Sequence, residues 1–127
     1  MKKKYITCFR TEFAVHVLFT KHTDMENRGY SFEKKVEEYL RKKFGSSNVK
    51  SEVPMNGSKA DFVVCGNQIW EAKSSPKIEK EDVSQAARIA EGRGKAILAV
   101  GRDARVSDTV QQYARSQSVK IKHMDFN

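Results

Sequence analysis

The sequence predicts an α/β domain with a mixed central sheet flanked by helices. Lys95-Ala96-Ile97-Leu98-Ala99-Val100 is nearly all apolar, the pattern of a central strand covered on both faces. Around it, stretches with apolar residues at helical spacing are interleaved with short runs of β-type residues separated by tight turn signals. Read in order, the elements are α-β-β-β-α-β, followed by an additional C-terminal helix and strand.

Ser31 is the predicted opening of the first helix, where its hydroxyl can cap free amides; Lys34 rather than Glu stands three residues on, so the capping box is incomplete. Phe32, Val36, Tyr39, Leu40 and Phe44 recur at helical spacing and form its buried stripe. Gly45 ends it. Three strands follow over residues 49–55, 60–65 and 68–74, with Gly57-Ser58 and Gly66-Asn67 as the turn signals. A second helix is predicted over 80–91, with Val83, Ala86, Ala87 and Ala90 inward, stopped by Gly92 and Gly94. After the apolar strand, Ser107 caps a third helix reaching about residue 117, and residues 119–122 read as a final strand. Residues 1–27 are an N-terminal extension or arm, and residues 28–127 the domain proper. Within the arm, residues 13–19 are rich in Val and Phe and read as a strand, whereas 21–29 is a polar linker. His16, alone in that apolar run, reads as a packed or edge histidine.

The chain has 127 residues, enough for one domain and one core. Lys and Arg number 24 against 16 Asp and Glu, a net charge of +8. Such an excess favours a polyanionic partner such as nucleic acid, the alternative being a merely solvated basic surface. The two cysteines, Cys8 and Cys65, have neither metal-binding spacing nor a disulfide framework. Cys65 reads as an ordinary buried thiol on an apolar strand, which suits a reducing compartment. No apolar run is long enough to span a membrane. Met1-Lys2-Lys3-Lys4 resembles the start of a signal peptide, but Arg10, Glu12 and His16 interrupt its apolar region. The expected location is therefore the cytoplasm.

The chemistry-bearing stretch runs from Lys59 to Lys73. Asp61 starts one strand of a predicted hairpin, and Glu71-Ala72-Lys73 closes the other. Alternate residues of a strand share a face, so Glu71 and Lys73 point the same way, and the hairpin brings Asp61 near Glu71. Two carboxylates and an ammonium on one face suit a hard divalent cation and an activated water.

This Asp-x(9)-Glu-x-Lys arrangement, carried on the second and third strands, resembles the PD-(D/E)xK signature of the restriction-endonuclease-like nucleases. Arg28-Gly29-Tyr30-Ser31-Phe32-Glu33 is similar to the Arg/Lys-Gly-x-x-x-Glu opening of archaeal Holliday-junction resolvases, as are Gly57-Ser58-Lys59-Ala60-Asp61 and Ile69-Trp70-Glu71-Ala72-Lys73-Ser74. The likeness covers roughly residues 28–100; the remainder is closer to methylation-dependent restriction endonucleases. One departure is Ala60, where the family often has proline, a residue that shapes the turn and binds no metal.

The resemblance implies a metal-dependent DNA endonuclease using Mg²⁺, with Mn²⁺ able to substitute. Asp61 and Glu71 would bind the metal, the backbone carbonyl of Ala72 would be a third ligand, and Glu33 would complete the site directly or through water. Lys73 would hold or help deprotonate the attacking water. Glu37 competes with Glu33 for the helix role, although Glu37 also suits an ion pair with Arg41 one turn on. Ser58, Lys59, Ser74, Gln85 and Arg28 are candidate phosphate or DNA contacts; for the serines, strand termination is the competing reading. Trp70 alternates with Glu71 and reads as core. The basic runs 2–4, 34–35 and 41–43 read as solvated faces, some of which would line a DNA path. DNA is the expected partner, with a homodimer expected and neither a membrane nor a small-molecule substrate. Two function classes stay open: a nuclease acting on branched DNA, or on duplex DNA in restriction or repair, and a nucleic-acid-binding protein with a nuclease fold but no cleavage.

Overall fold

The computed structural model describes residues 28–126. In chain order the elements are α1 (Arg28–Phe44), a short 3₁₀ turn (Ser46–Asn48), β1 (Val49–Met55), β2 (Ser58–Val64), β3 (Gln68–Lys73), α2 (Lys80–Ala90), β4 (Lys95–Val100), α3 (Asp108–Ser116) and β5 (Val119–His123). The five strands form one sheet in the order β1-β2-β3-β4-β5. β1, β2 and β3 pair antiparallel, and β3, β4 and β5 pair parallel. The predicted mixed α/β sheet with flanking helices is thus observed. The arm over residues 1–27, including the strand expected at 13–19, lies outside the described residues.

Strand alternation builds two cores. Trp70, Ile97 and Ala99 face α1 and meet Val36 and Leu40 of its apolar stripe. Ile69, Leu98 and Val100 face the other way and meet Val83, Ala86 and Ile89 of α2 and Val110 and Ala114 of α3. β4 is buried from Ala96 to Val100, as its unbroken apolar run requires of a strand with helices on both sides. Trp70 is 3% exposed, and its indole N–H donates to Gln68 Oε1 at 3.0 Å.

The alternation changes phase partway along the first hairpin. Val49 of β1 and Phe62 and Val64 of β2 join the α1 core, whereas Val53, Met55 and Ala60 join the α2–α3 core. The change falls at Glu52 and Asp61, between the pairs Ser51↔Phe62 and Val53↔Ala60. Glu52 takes a left-handed φ of 53° there. The twist rolls the hairpin tip toward α2, where the Asn56 amide donates to Ile89 O at 2.9 Å and Glu91 O at 2.8 Å. These are carbonyls that the helix end leaves without partners of its own.

Several boundaries differ from expectation. α1 runs from Arg28, so Ser31 lies inside the helix rather than capping it. Nothing in Arg28-Gly29-Tyr30 forbids helix, and a single glycine costs only about 1 kcal/mol. The first hairpin turns at Asn56-Gly57, with φ of 50° and 78°, because Ser58 already pairs with Met55. Two successive left-handed residues match the twist of a tight hairpin, and Asn-Gly supplies them at least strain. The second turn begins at Cys65, also left-handed at φ 56°. Cys65 is disulfide-bonded, not the buried free thiol expected, which removes it as an argument for a reducing compartment. Gly94 allows β4 to enter beside β3: a Cβ there would lie 2.3 Å from Asn67 O, the atom that receives the Lys95 N–H at 2.9 Å. Ser107 does cap α3, accepting from Val110 N at 3.2 Å. Among the described residues, no helix is long and apolar enough to cross a membrane.

Candidate active site

The β2–β3 ladder holds from Val64↔Gln68 through Val63↔Ile69 to Phe62↔Trp70 and then stops. The next opposed residues are Asp61 and Glu71. There β3 continues alongside β4 to Lys73↔Val100, while β2 rotates away through the phase change at Asp61. Side chains take over from the backbone ladder in the fork. The Asp61 N–H donates to Glu71 Oε2 at 3.2 Å, and the Ala72 N–H donates to Asp61 Oδ2 at 2.9 Å. The two carboxylates are thereby fixed against each other's strand.

Packing acids this way has an electrostatic cost. Burial pushes the Glu71 carboxyl up to about 8, helped by the negative charges of Asp61 and Glu33. Burial also raises Asp61, and the N–H of Ala72 opposes that rise. Glu33, on α1, is raised by burial first and then by the charges of Asp61, Glu52 and Glu37. The Asp61–Glu71 pair therefore retains a proton at neutral pH, with Glu71 the principal holder. An acid cluster of this kind favours ionisation when a cation arrives, and perturbed carboxyls of this type are concentrated at functional sites.

Glu33 and Glu37 behave differently. Glu33 is electrostatically part of the Asp61–Glu71 cluster. Glu37 accepts from Arg41 Nε at 2.9 Å and lies 3.7 Å from Lys34 Nζ. Arg41 in turn donates to Ser46 O and Val49 O, so this pair ties α1 to the start of β1.

Lys73 is on β3 as predicted, but its ammonium is engaged on α2, 3.4 Å from Asp82 Oδ1. The second oxygen of Asp82 accepts from the Glu79 N–H at 2.8 Å, at the start of that helix. Lys59 is exposed and paired with Glu52 at 3.3 Å. Ser58 is exposed at the start of β2, Gln85 is exposed on α2, and Ser74 is half-buried just beyond β3. Arg28 is the first residue of α1. The structure thus brings Asp61 and Glu71 together, with Glu33 near enough for their charges to act on it, and leaves Lys73 and Lys59 with other carboxylates.

Sequence reasoning missed two acids, Glu52 and Asp82. Glu52 was legible from the hairpin, since it stands opposite Asp61 once the turn is placed at Asn56-Gly57. Asp82 had a weaker signal, an acid in the first turn of α2 three residues after Glu79.

Among the described residues, no three His, Cys, Asp or Glu side chains are arranged as a group able to hold a metal ion. Two carboxylates do stand together, Asp61 and Glu71, and their donor atoms are all oxygen. That donor set suits a hard cation such as Mg²⁺ or Mn²⁺, which uses few protein ligands and keeps several waters. Comparison of the chain with protein-family models, with curated proteins and with solved structures found no match to any of them.

Proposed function

We propose that this protein is a metal-dependent DNA endonuclease with a restriction-endonuclease-like core, acting on branched DNA in the manner of a Holliday-junction resolvase. The observation that carries the reading is the fork at the end of the β2–β3 ladder, where Asp61 and Glu71 exchange hydrogen bonds with the opposite strand and Glu71 is raised to about 8.

Asp61, Glu71 and the Ala72 carbonyl would hold the Mg²⁺, with Glu33 reaching it directly or through water. When bound, the ion lowers the pKa of a coordinated water and offsets charge on the scissile phosphate. Glu71 would release its proton to solvent on binding the cation, since the ion would replace the proton as the partner of the buried charge. Lys73 leaves Asp82 to orient the attacking water and neutralise the phosphate. Their ion pair is open to solvent on the lysine side, at 44% exposure, so breaking it costs under about 1 kcal/mol. The +8 net charge supplies phosphate contacts that hold the DNA without reading its sequence. A homodimer would place two such sites on a two-fold substrate; light scattering at micromolar concentration tests this.

The direct experiment compares cleavage of four-way junction, flap, linear duplex and single-stranded DNA with and without Mg²⁺. A second reading, a nuclease-fold protein that binds nucleic acid without cutting it, is favoured by the engagement of Lys73 with Asp82. Binding to the same substrates with no divalent-dependent cleavage would establish that reading in place of the first.

A further inference from the structure

Beyond the fork, a cleft opens at the carboxyl ends of the three parallel strands. We propose that this cleft holds one unstacked nucleotide of a DNA strand, so that the substrate carries unpaired nucleotides beside the candidate active site. The second half of that statement rests on the nuclease reading; occupation of the cleft does not.

The cleft encloses about 420 Å³, within the range of small-ligand sites. Its chemistry is that of a nucleotide, part by part. Phe32 of α1 and Phe126 after β5 meet edge to face, with centroids 5.9 Å apart and planes at 66°. Phe126 is 38% exposed, the large apolar side chain that stands out to solvent among the described residues. An aromatic ring braced edge to face by a second ring and partly open to solvent is a platform on which a base can stack. Lys35 and Arg102 bring two cations to the same cleft, and Ser31 and Ser74 bring two hydroxyls. These suit a phosphate and a sugar. Asp103, 3.6 Å from Arg102 Nε, and Asp125 also line the cleft. Carboxylates repel a bare polyanion but accept from the amines of a base edge.

Position supports the same occupant. Ser74 follows Lys73 directly, and Phe32 precedes Glu33. Ser74 is three residues beyond Glu71, about 10 Å along an extended chain, a short step along a nucleic-acid strand. Bases inside a duplex hide their faces in the stack, so only an unpaired or extruded nucleotide can use the platform.

The test uses an oligodeoxythymidylate carrying a single 2-aminopurine, and a blunt duplex of equal length, both titrated with the full chain in Ca²⁺. The expected result is tighter binding of the single strand, with quenching of the 2-aminopurine. Phe126→Ala should weaken single-strand binding about tenfold and abolish the quenching, and Phe126→Trp should restore both. Duplex affinity should be unchanged in either variant. Arg102→Gln should lower single-strand affinity and reduce the salt slope by about one phosphate contact, which keeps the test open should Phe126→Ala fold poorly. Equal single-strand affinity in wild type and Phe126→Ala, or an equal loss on both DNAs, would overturn the proposal. Mg²⁺-dependent cleavage is scored separately. Its absence alongside Phe126-dependent stacking would sink the nuclease reading and leave the cleft standing; cleavage without Phe126-dependent binding would do the reverse.

Discussion

Replacing Glu71 by glutamine should stabilise the metal-free protein at alkaline pH. The wild-type carboxyl ordinarily titrates near 4.5 and is held up to about 8 by burial and by the charges of Asp61 and Glu33. A carboxyl whose pKa is raised by folding keeps its proton in the native state where the unfolded chain has lost it. Its contribution to stability is complete below pH 4.5 and is lost as pH rises through about 8. The full gap, 8 − 4.5, corresponds to roughly 5 kcal/mol at about 1.4 kcal/mol per pH unit. Glu71 is only half-buried, and solvent screening brings this to about 2 kcal/mol. Glutamine keeps an oxygen to accept the Asp61 N–H but carries no charge to desolvate, and it relieves Asp61 of a negative neighbour. At roughly 4 °C per kcal/mol for a domain of this size, the variant should melt about 8 °C above wild type at pH 8.5 in EDTA. At pH 4.5 the two should nearly coincide. Thermal denaturation by circular dichroism at pH 4.5, 6.5 and 8.5 reads both values. A variant that melts at or below wild type at pH 8.5, or parallel pH profiles, would refute the reasoning.

Other outcomes follow from the same geometry. Because Mg²⁺ must displace the Glu71 proton, its affinity should rise with pH until about 8. Calorimetry in two buffers of different ionisation enthalpy should detect proton release below that pH, and no release would contradict the raised carboxyl. Lys73→Ala should cut the cleavage rate at least a hundredfold while Mg²⁺ binding survives, since Lys73 acts on water and phosphate and not on the metal; loss of metal binding with an unchanged maximal rate would reverse that role. Asn56→Ala should lower stability by about 2 kcal/mol, from lost bonds to the end of α2 and from a left-handed φ that alanine tolerates poorly. Asn56→Gly should lose only the bonds, and equal melting of the two variants would show that the φ of 50° carries no cost.

Much of the fold was legible because periodicity is local. β4 could be read from six residues, since a run with no polar face fits a strand buried on both sides. β1 was placed at its observed limits, and Ser107 announced α3 by its hydroxyl. What escaped was partly local and partly set at a distance. Both turns began one residue early because Asn56 and Cys65, not the glycines alone, adopt left-handed backbone. The phase change at Glu52 and Asp61 leaves no mark in the hydrophobic pattern, yet it opens the fork that carries the candidate site. Asp61 and Glu71 could be brought together from strand pairing alone. The engagement of Lys73 with Asp82 could not, because it depends on how α2 packs against β3.

The central claim is that the Asp61–Glu71 fork hydrolyses DNA with a bound divalent ion. The most direct measurement is cleavage of the four-substrate panel in Mg²⁺ by wild type, Asp61→Ala and Glu71→Ala, with DNA binding followed in parallel in Ca²⁺. The account predicts Mg²⁺-dependent cleavage by wild type, none by either variant, and DNA affinity within a few-fold of wild type for both. Cleavage retained by both variants in saturating Mg²⁺, or no cleavage by the wild type on any substrate it binds, would contradict it.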